Sequence, residues 1–226
     1  MRQNANLSEW IRRLYREDIL KLIEVFRPKI NPLEDYYTWE SLFKENFSFD
    51  CKVDTRTIQE IIKELENKNY PPFFGIPISV LINHSSERDV EIEVKKPLDY
   101  LGINKEGGRL VIKGNAGDYP GCYMKSGEII VEGNAGEGVG AYMNGGRIVI
   151  KGKAEGEIGY MMRGGEIYVN NLEFENLSNY IYSGEIYKGL PENNPELILK
   201  SEILKKSENE IVLLFWKKKR NLKKLI

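Results

Sequence analysis

The feature that most narrows what this chain can fold into is a repeat nineteen residues long. Gly108, Gly127, Gly146, Gly165 and Gly184 stand nineteen apart, as do Ala116, Ala135 and Ala154, and Met124, Met143 and Met162. Self-similarity at a fixed period near twenty residues is the mark of a solenoid, in which each unit buries its apolar face only against its neighbours. Gly114, Gly133 and Gly152, with Gly121, Gly140 and Gly159, keep the same register. Each glycine-rich stretch leads back into a strand, so these glycines read as coil corners and not as a phosphate cradle, which needs a helix to follow.

A short strand follows each Gly108-type position. Its second residue is Leu110, Ile129, Ile148, Ile167 or Ile186, and its fourth is aliphatic in four of five copies. Strand side chains alternate between faces, so these two positions point inward and the first, third and fifth point outward. Parallel stacking of the copies puts Arg109, Glu128, Arg147 and Glu166 in one column of alternating sign. Lys113, Glu132 and Lys151 form a second. Hairpins would pair different positions and lose this match. The third column, Val111, Ile130, Val149, Tyr168 and Tyr187, is outward yet apolar. Such a stripe predicts a cover: the chain's own helices, the apolar run at 211–216, or a partner subunit.

The unit at 133–150, Gly-Asn-Ala-Gly-Glu-Gly-Val-Gly-Ala-Tyr-Met-Asn-Gly-Gly-Arg-Ile-Val-Ile, and its neighbour at 114–131 resemble the GXGXG repeat family. That family occurs in the C subunit of archaeal formylmethanofuran dehydrogenase and at the C-terminus of the glutamate synthase large subunit. The resemblance covers about 107–169, with a decayed copy to 188. It implies a right-handed parallel β-helix that is structural rather than catalytic; the copies in this sequence suit roughly four to six coils. It carries over no catalytic, cofactor-binding or metal-binding residue, and it implies protein subunits of an oxidoreductase or amidotransferase complex as partners; self-association of the chain is the other expected contact.

Three regions are expected: a helical part at 1–75, the β-helix at 76–190, and a capping segment with a basic tail at 191–226. In the first, Ser8 is an N-cap candidate. Ile11, Leu14, Ile19, Leu22, Ile23 and Phe26 recur at helical spacing up to Pro28 and Pro32. Tyr36, Tyr37, Trp39, Leu42 and Phe43 suit a second helix, and Ile58, Ile61, Ile62 and Leu65 a third. The apolar text at 76–83 reads as a strand, as does the alternation of Val90, Ile92 and Val94 with Glu91 and Glu93.

Charge balances, with 33 Lys plus Arg against 34 Asp plus Glu, which argues against a general nucleic-acid or membrane binder. No apolar run has the length of a membrane span, and no signal-peptide core opens the sequence. Cys51 and Cys122 form no CxxC pair, so free thiols in a cytoplasmic setting are expected. His84, the sole histidine, lies in loop-like sequence without a neighbouring nucleophile. Two other functions stand beside a non-catalytic scaffold. One is a β-helix enzyme using acidic corners at Asp118, Glu137 and Glu157; the other is nucleic-acid binding through the basic tail at 217–224.

Overall fold

The computed structural model of the chain describes residues 31–46, 53–68, 70–207 and 210–217, together with 17, 20 and 21. Eight strands form one sheet in chain order: β1 (Asp89–Val94), β2 (Arg109–Gly114), β3 (Glu128–Val131), β4 (Arg147–Ile150), β5 (Arg163–Val169), β6 (Ser183–Lys188), β7 (Glu196–Ser207) and β8 (Glu210–Lys217). Strands β1 to β6 pair in parallel, each with the next. Parallel neighbours in strict chain order mean that every coil returns to the same face, which makes the middle of the chain a parallel β-solenoid.

The register is the one the repeat predicts. Ile129 pairs with Ile148, and Ile148 with Ile167. Leu110, Ile129, Ile148, Ile167 and Ile186 are all fully buried and stack into one interior column, with Ile112, Val131, Ile150 and Val169 beside it. Met124, Met143 and Met162 are equally buried. Outside, Glu128 pairs with Arg109 at 3.2 Å, and Arg147 lies 3.9 Å from Glu128 and 2.9 Å from Glu166. Lys151 meets Glu132 at 2.9 Å, but Lys113 turns to Glu91 on β1 and not to Glu132. The side chains paired within the two columns are about a third to a half exposed, and Lys113 and Glu91 more than half. Each pair within the columns therefore contributes less than about 1 kcal/mol, and the ladders select register more than they stabilise.

Helices close the β1 end. In α1 (Pro32–Asn46), Asn31 Oδ1 accepts the Leu33 and Glu34 amides, and Pro32 opens the helix where a helix end is expected from the sequence. The expected first helix lies mostly outside the described residues. In α2 (Thr55–Asn67), Asp54 caps the first turn by accepting from Thr57 N at 2.8 Å, and Ile58, Ile61, Ile62 and Leu65 are buried.

The segment at 76–83 is not the expected strand but the core of helix α3 (Gly75–Asn83). A continuous apolar run carries no period by which to tell the two apart. Here every residue from Gly75 to Ile82 is buried, as befits a helix enclosed on all sides. The first coil backbone presses on its start: a Cβ at position 75 would lie 1.9 Å from the Asp99 carbonyl oxygen. Ser79 Oγ accepts the Gly102 amide at 2.9 Å, tying α3 to that coil.

Helix α2 also satisfies the free edge of β1. Gln59 accepts the Glu93 amide at 2.6 Å and donates to its carbonyl at 2.9 Å, while Glu66 accepts the Lys95 amide. An edge strand so covered cannot recruit another strand. At the other end the chain reverses, β7 pairing antiparallel with β6 and β8 antiparallel with β7. The apolar run at 211–216 therefore extends the sheet as β8 and does not fold over the outward stripe.

Within that stripe Ile130, Val149 and Tyr168 are 7%, 5% and 7% exposed, and they form an apolar cluster separate from the main core. Val111 and Tyr187 are only partly buried at its ends. Tyr168 and Tyr187 stack in parallel at 4.4 Å, and the Arg147 guanidinium lies 5.6 Å from the Tyr168 ring centre. No described helix is long and apolar enough to cross a membrane.

Candidate functional site

The acidic corners do structural work. Asp99 Oδ1 accepts the Asp118 amide at 2.9 Å, and Asp118 Oδ1 accepts the Glu137 amide at 3.0 Å, each from the next coil. Asn115 and Asn134 repeat the device, accepting the amides of Asn134 and Lys153. Carboxylates aligned along the coils to hold backbone N–H groups do not converge on a bond to be cleaved. Glu157 belongs to a different column, in register with Tyr119 and Gly138. His84 caps the end of α3 and meets Glu40 of α1 at 3.0 Å, tying two helices together. Among the described residues no group of three or more His, Cys, Asp or Glu could hold a metal ion. Cys51 and the basic residues after Lys217 lie outside the described residues.

A concave feature among the described residues lies at another corner. An open groove of about 670 Å³ runs beside the start of α1, lined by Tyr100, Tyr119, Tyr123, Tyr142, Tyr160 and Tyr180 together with Asn31, Pro32, Cys122 and Glu157. Its origin is the backbone. Tyr100, Tyr119 and Glu157 have φ of 61, 57 and 56°, and Tyr123 and Tyr142 have 56 and 57°. The left-handed region is uncommon for a bulky side chain and costs roughly 1–2 kcal/mol. The inter-coil bonds offset that cost. The Tyr100 amide donates to Asp118 O and the Tyr119 amide to Glu137 O, both at 2.7 Å, and the Tyr142 amide donates to Tyr160 O at 2.7 Å.

The rings then stack along the coils. Tyr100 and Tyr119 are parallel at 5.2 Å, and Tyr123 and Tyr142 at 4.7 Å. Tyr160 stands edge-on to Tyr142 and to Tyr180, at 87° and 81°. Beyond Tyr119 the next rung is Gly138, where a Cβ would strike the Tyr119 ring at 2.3 Å. Burial pushes the Tyr100 and Tyr142 hydroxyls up to about 12, so they are neutral at physiological pH.

Cys122 lines the base of the groove but is 2% exposed, and burial pushes its thiol up to about 12. It behaves as a small apolar filler. Alkylation of Cys122 by iodoacetamide, followed by peptide mass mapping, is expected to be at least about 100-fold slower in the folded protein than after unfolding. Equal rates would show that the thiol is accessible.

The groove does not figure in the sequence reading, although its signal is there: Tyr100 and Tyr119 are nineteen apart, and so are Tyr123 and Tyr142. No protein-family model, no curated protein and no solved structure matches the chain.

Proposed function

We propose that this protein is a non-catalytic scaffold that acts through protein contacts, with the solenoid as a rigid frame closed at one end and open to association at the other. The observation that carries the reading is the asymmetry of the sheet edges. The β1 edge is covered by α2, with Gln59 bonded to both backbone groups of Glu93. Strand β8 is the outermost of the eight, and its sequence, Ile211-Val-Leu-Leu-Phe-Trp216, is continuously apolar. A long apolar edge strand is a template for a strand of another chain. The commitment of Asp99 and Asp118 to backbone amides supports a structural over a catalytic use of the acidic corners. The repeat's resemblance supports an oxidoreductase or amidotransferase assembly as the setting.

The test is affinity purification of the full chain from native extract, beside Leu213→Lys and Leu214→Lys, which between them address both faces of β8. One or both substitutions are expected to strip a defined set of co-purifying subunits while leaving the melting temperature within a few degrees of wild type. An unchanged set of partners in both variants would overturn the edge-strand reading.

A further inference from the structure

The tyrosine groove has a chemistry of its own, independent of the β8 edge. Six tyrosine rings line it, and among the described residues of its lining Glu157 is the one carboxylate. Glu157 is held by Ser178, whose hydroxyl donates to Oε2 at 2.7 Å from the next coil. Among the described residues no Lys or Arg forms an ion pair with Glu157, and none lines the groove. Arg163 lies over the Tyr182 ring, 5.9 Å from its centre, and its charge reaches as far as Tyr123 at the groove's edge. Burial first, and then the charges of Glu137, Asp118 and Glu157, oppose ionisation of the Tyr119 hydroxyl.

We propose that this groove is a binding site for a small organic cation of the quaternary ammonium class, held by the tyrosine rings and by the carboxylate of Glu157. Ring faces carry negative quadrupole potential and attract a cation placed over them. Tyr160 stands perpendicular to both Tyr142 and Tyr180, so rings of more than one orientation line this stretch of the groove, which a single flat stack would not provide. A metal ion would need several convergent oxygens, and among the described residues the groove's lining offers a single carboxylate. A primary ammonium is strongly hydrated and has three N–H groups to satisfy. A quaternary ammonium has none, so apolar ring faces cost it little. The volume of about 670 Å³ suits a small molecule. The strained left-handed backbone at Glu157 sets the carboxylate one rung beyond Gly138, where the column has no ring.

The test is calorimetric titration of the full chain with choline and with its neutral isostere 3,3-dimethylbutan-1-ol. Choline is expected to bind at least about tenfold more tightly than the isostere, since only the charge differs. Glu157→Gln, at an exposed position, is expected to weaken choline by roughly threefold to tenfold and leave the isostere unchanged. Tyr142→Leu, with wild-type circular dichroism, is expected to weaken choline by about tenfold. Equal binding of the two ligands would overturn the proposal, as that is the behaviour of a merely apolar groove. So would the absence of saturable choline binding, or choline affinity that Glu157→Gln leaves unchanged.

Discussion

Gly140→Ala is expected to destabilise the protein by about 2–5 kcal/mol, and Ile167→Val is expected to recover part of that loss. Gly140 has φ +66°, which costs a side-chain-bearing residue roughly 1–2 kcal/mol. A Cβ there would also lie 2.6 Å from Ile167 Cδ1 and 3.4 Å from Ile148 Cδ1, and overpacking of a filled core adds about 1–3 kcal/mol. The geometry recurs at Gly102 against Ile129 and at Gly121 against Ile148, each at 2.4 Å, so the corner and the strand twenty-seven residues later are one packing unit. Ile167→Val removes the colliding methyl and alone costs about 0.5–1.5 kcal/mol. The double variant should therefore be more stable than the sum of the single effects by about 1–3 kcal/mol, read by chemical denaturation as a coupling energy. Strict additivity would mean that only the backbone angle requires glycine.

Ile130→Asp is expected to cost about 3–5 kcal/mol, through the fold itself rather than through assembly alone. Ile130 is 7% exposed, between Val111 and Val149 in the outward stripe. A carboxylate there loses water, and the cations of the flanking columns, Arg109, Arg147 and Lys151, are already paired with Glu128, Glu166 and Glu132. Desolvation raises the folded-state pKa of the introduced carboxyl above its unfolded value near 3.9. The penalty is then present in full above the folded pKa, fades as pH falls from the folded pKa toward the unfolded one, and is gone below it. Measured against Ile130→Asn, the gap in stability should close as pH is lowered from about 7 to about 4. A monomer as stable as wild type at neutral pH would show that the stripe is not covered in the folded chain.

The charge ladders and the interior column show why much of this fold is readable from the residues alone. Every coil meets its neighbours in the same register, so one period describes contacts that in another fold would be scattered along the chain. Alternation within each strand then separates Ile129 and Val131 from Glu128 and Glu132. The same logic found the helix stripe of Ile58, Ile61, Ile62 and Leu65, because a helix half buried against a sheet edge must show its period.

The rest depended on contacts that no local pattern encodes. The run at 76–83 became helix α3 because it is enclosed on all sides, which erases the period that separates helix from strand. Lys113 took Glu91 over Glu132 because β1 supplies a partner from outside the repeat. The apolar run at 211–216 joined the sheet edge, since reversal of the chain after β6 left strand pairing and not face-to-face cover as its contact.

The tyrosine groove shows the division most plainly. The nineteen-residue spacing determined that Tyr100 lies beside Tyr119, and Tyr123 beside Tyr142. The tertiary structure alone decided that these rings line one groove with Glu157, because that follows from left-handed backbone angles stabilised by hydrogen bonds between coils. Spacing determines which residues are neighbours along the solenoid; the direction in which a corner side chain points is settled only when the coils close on one another.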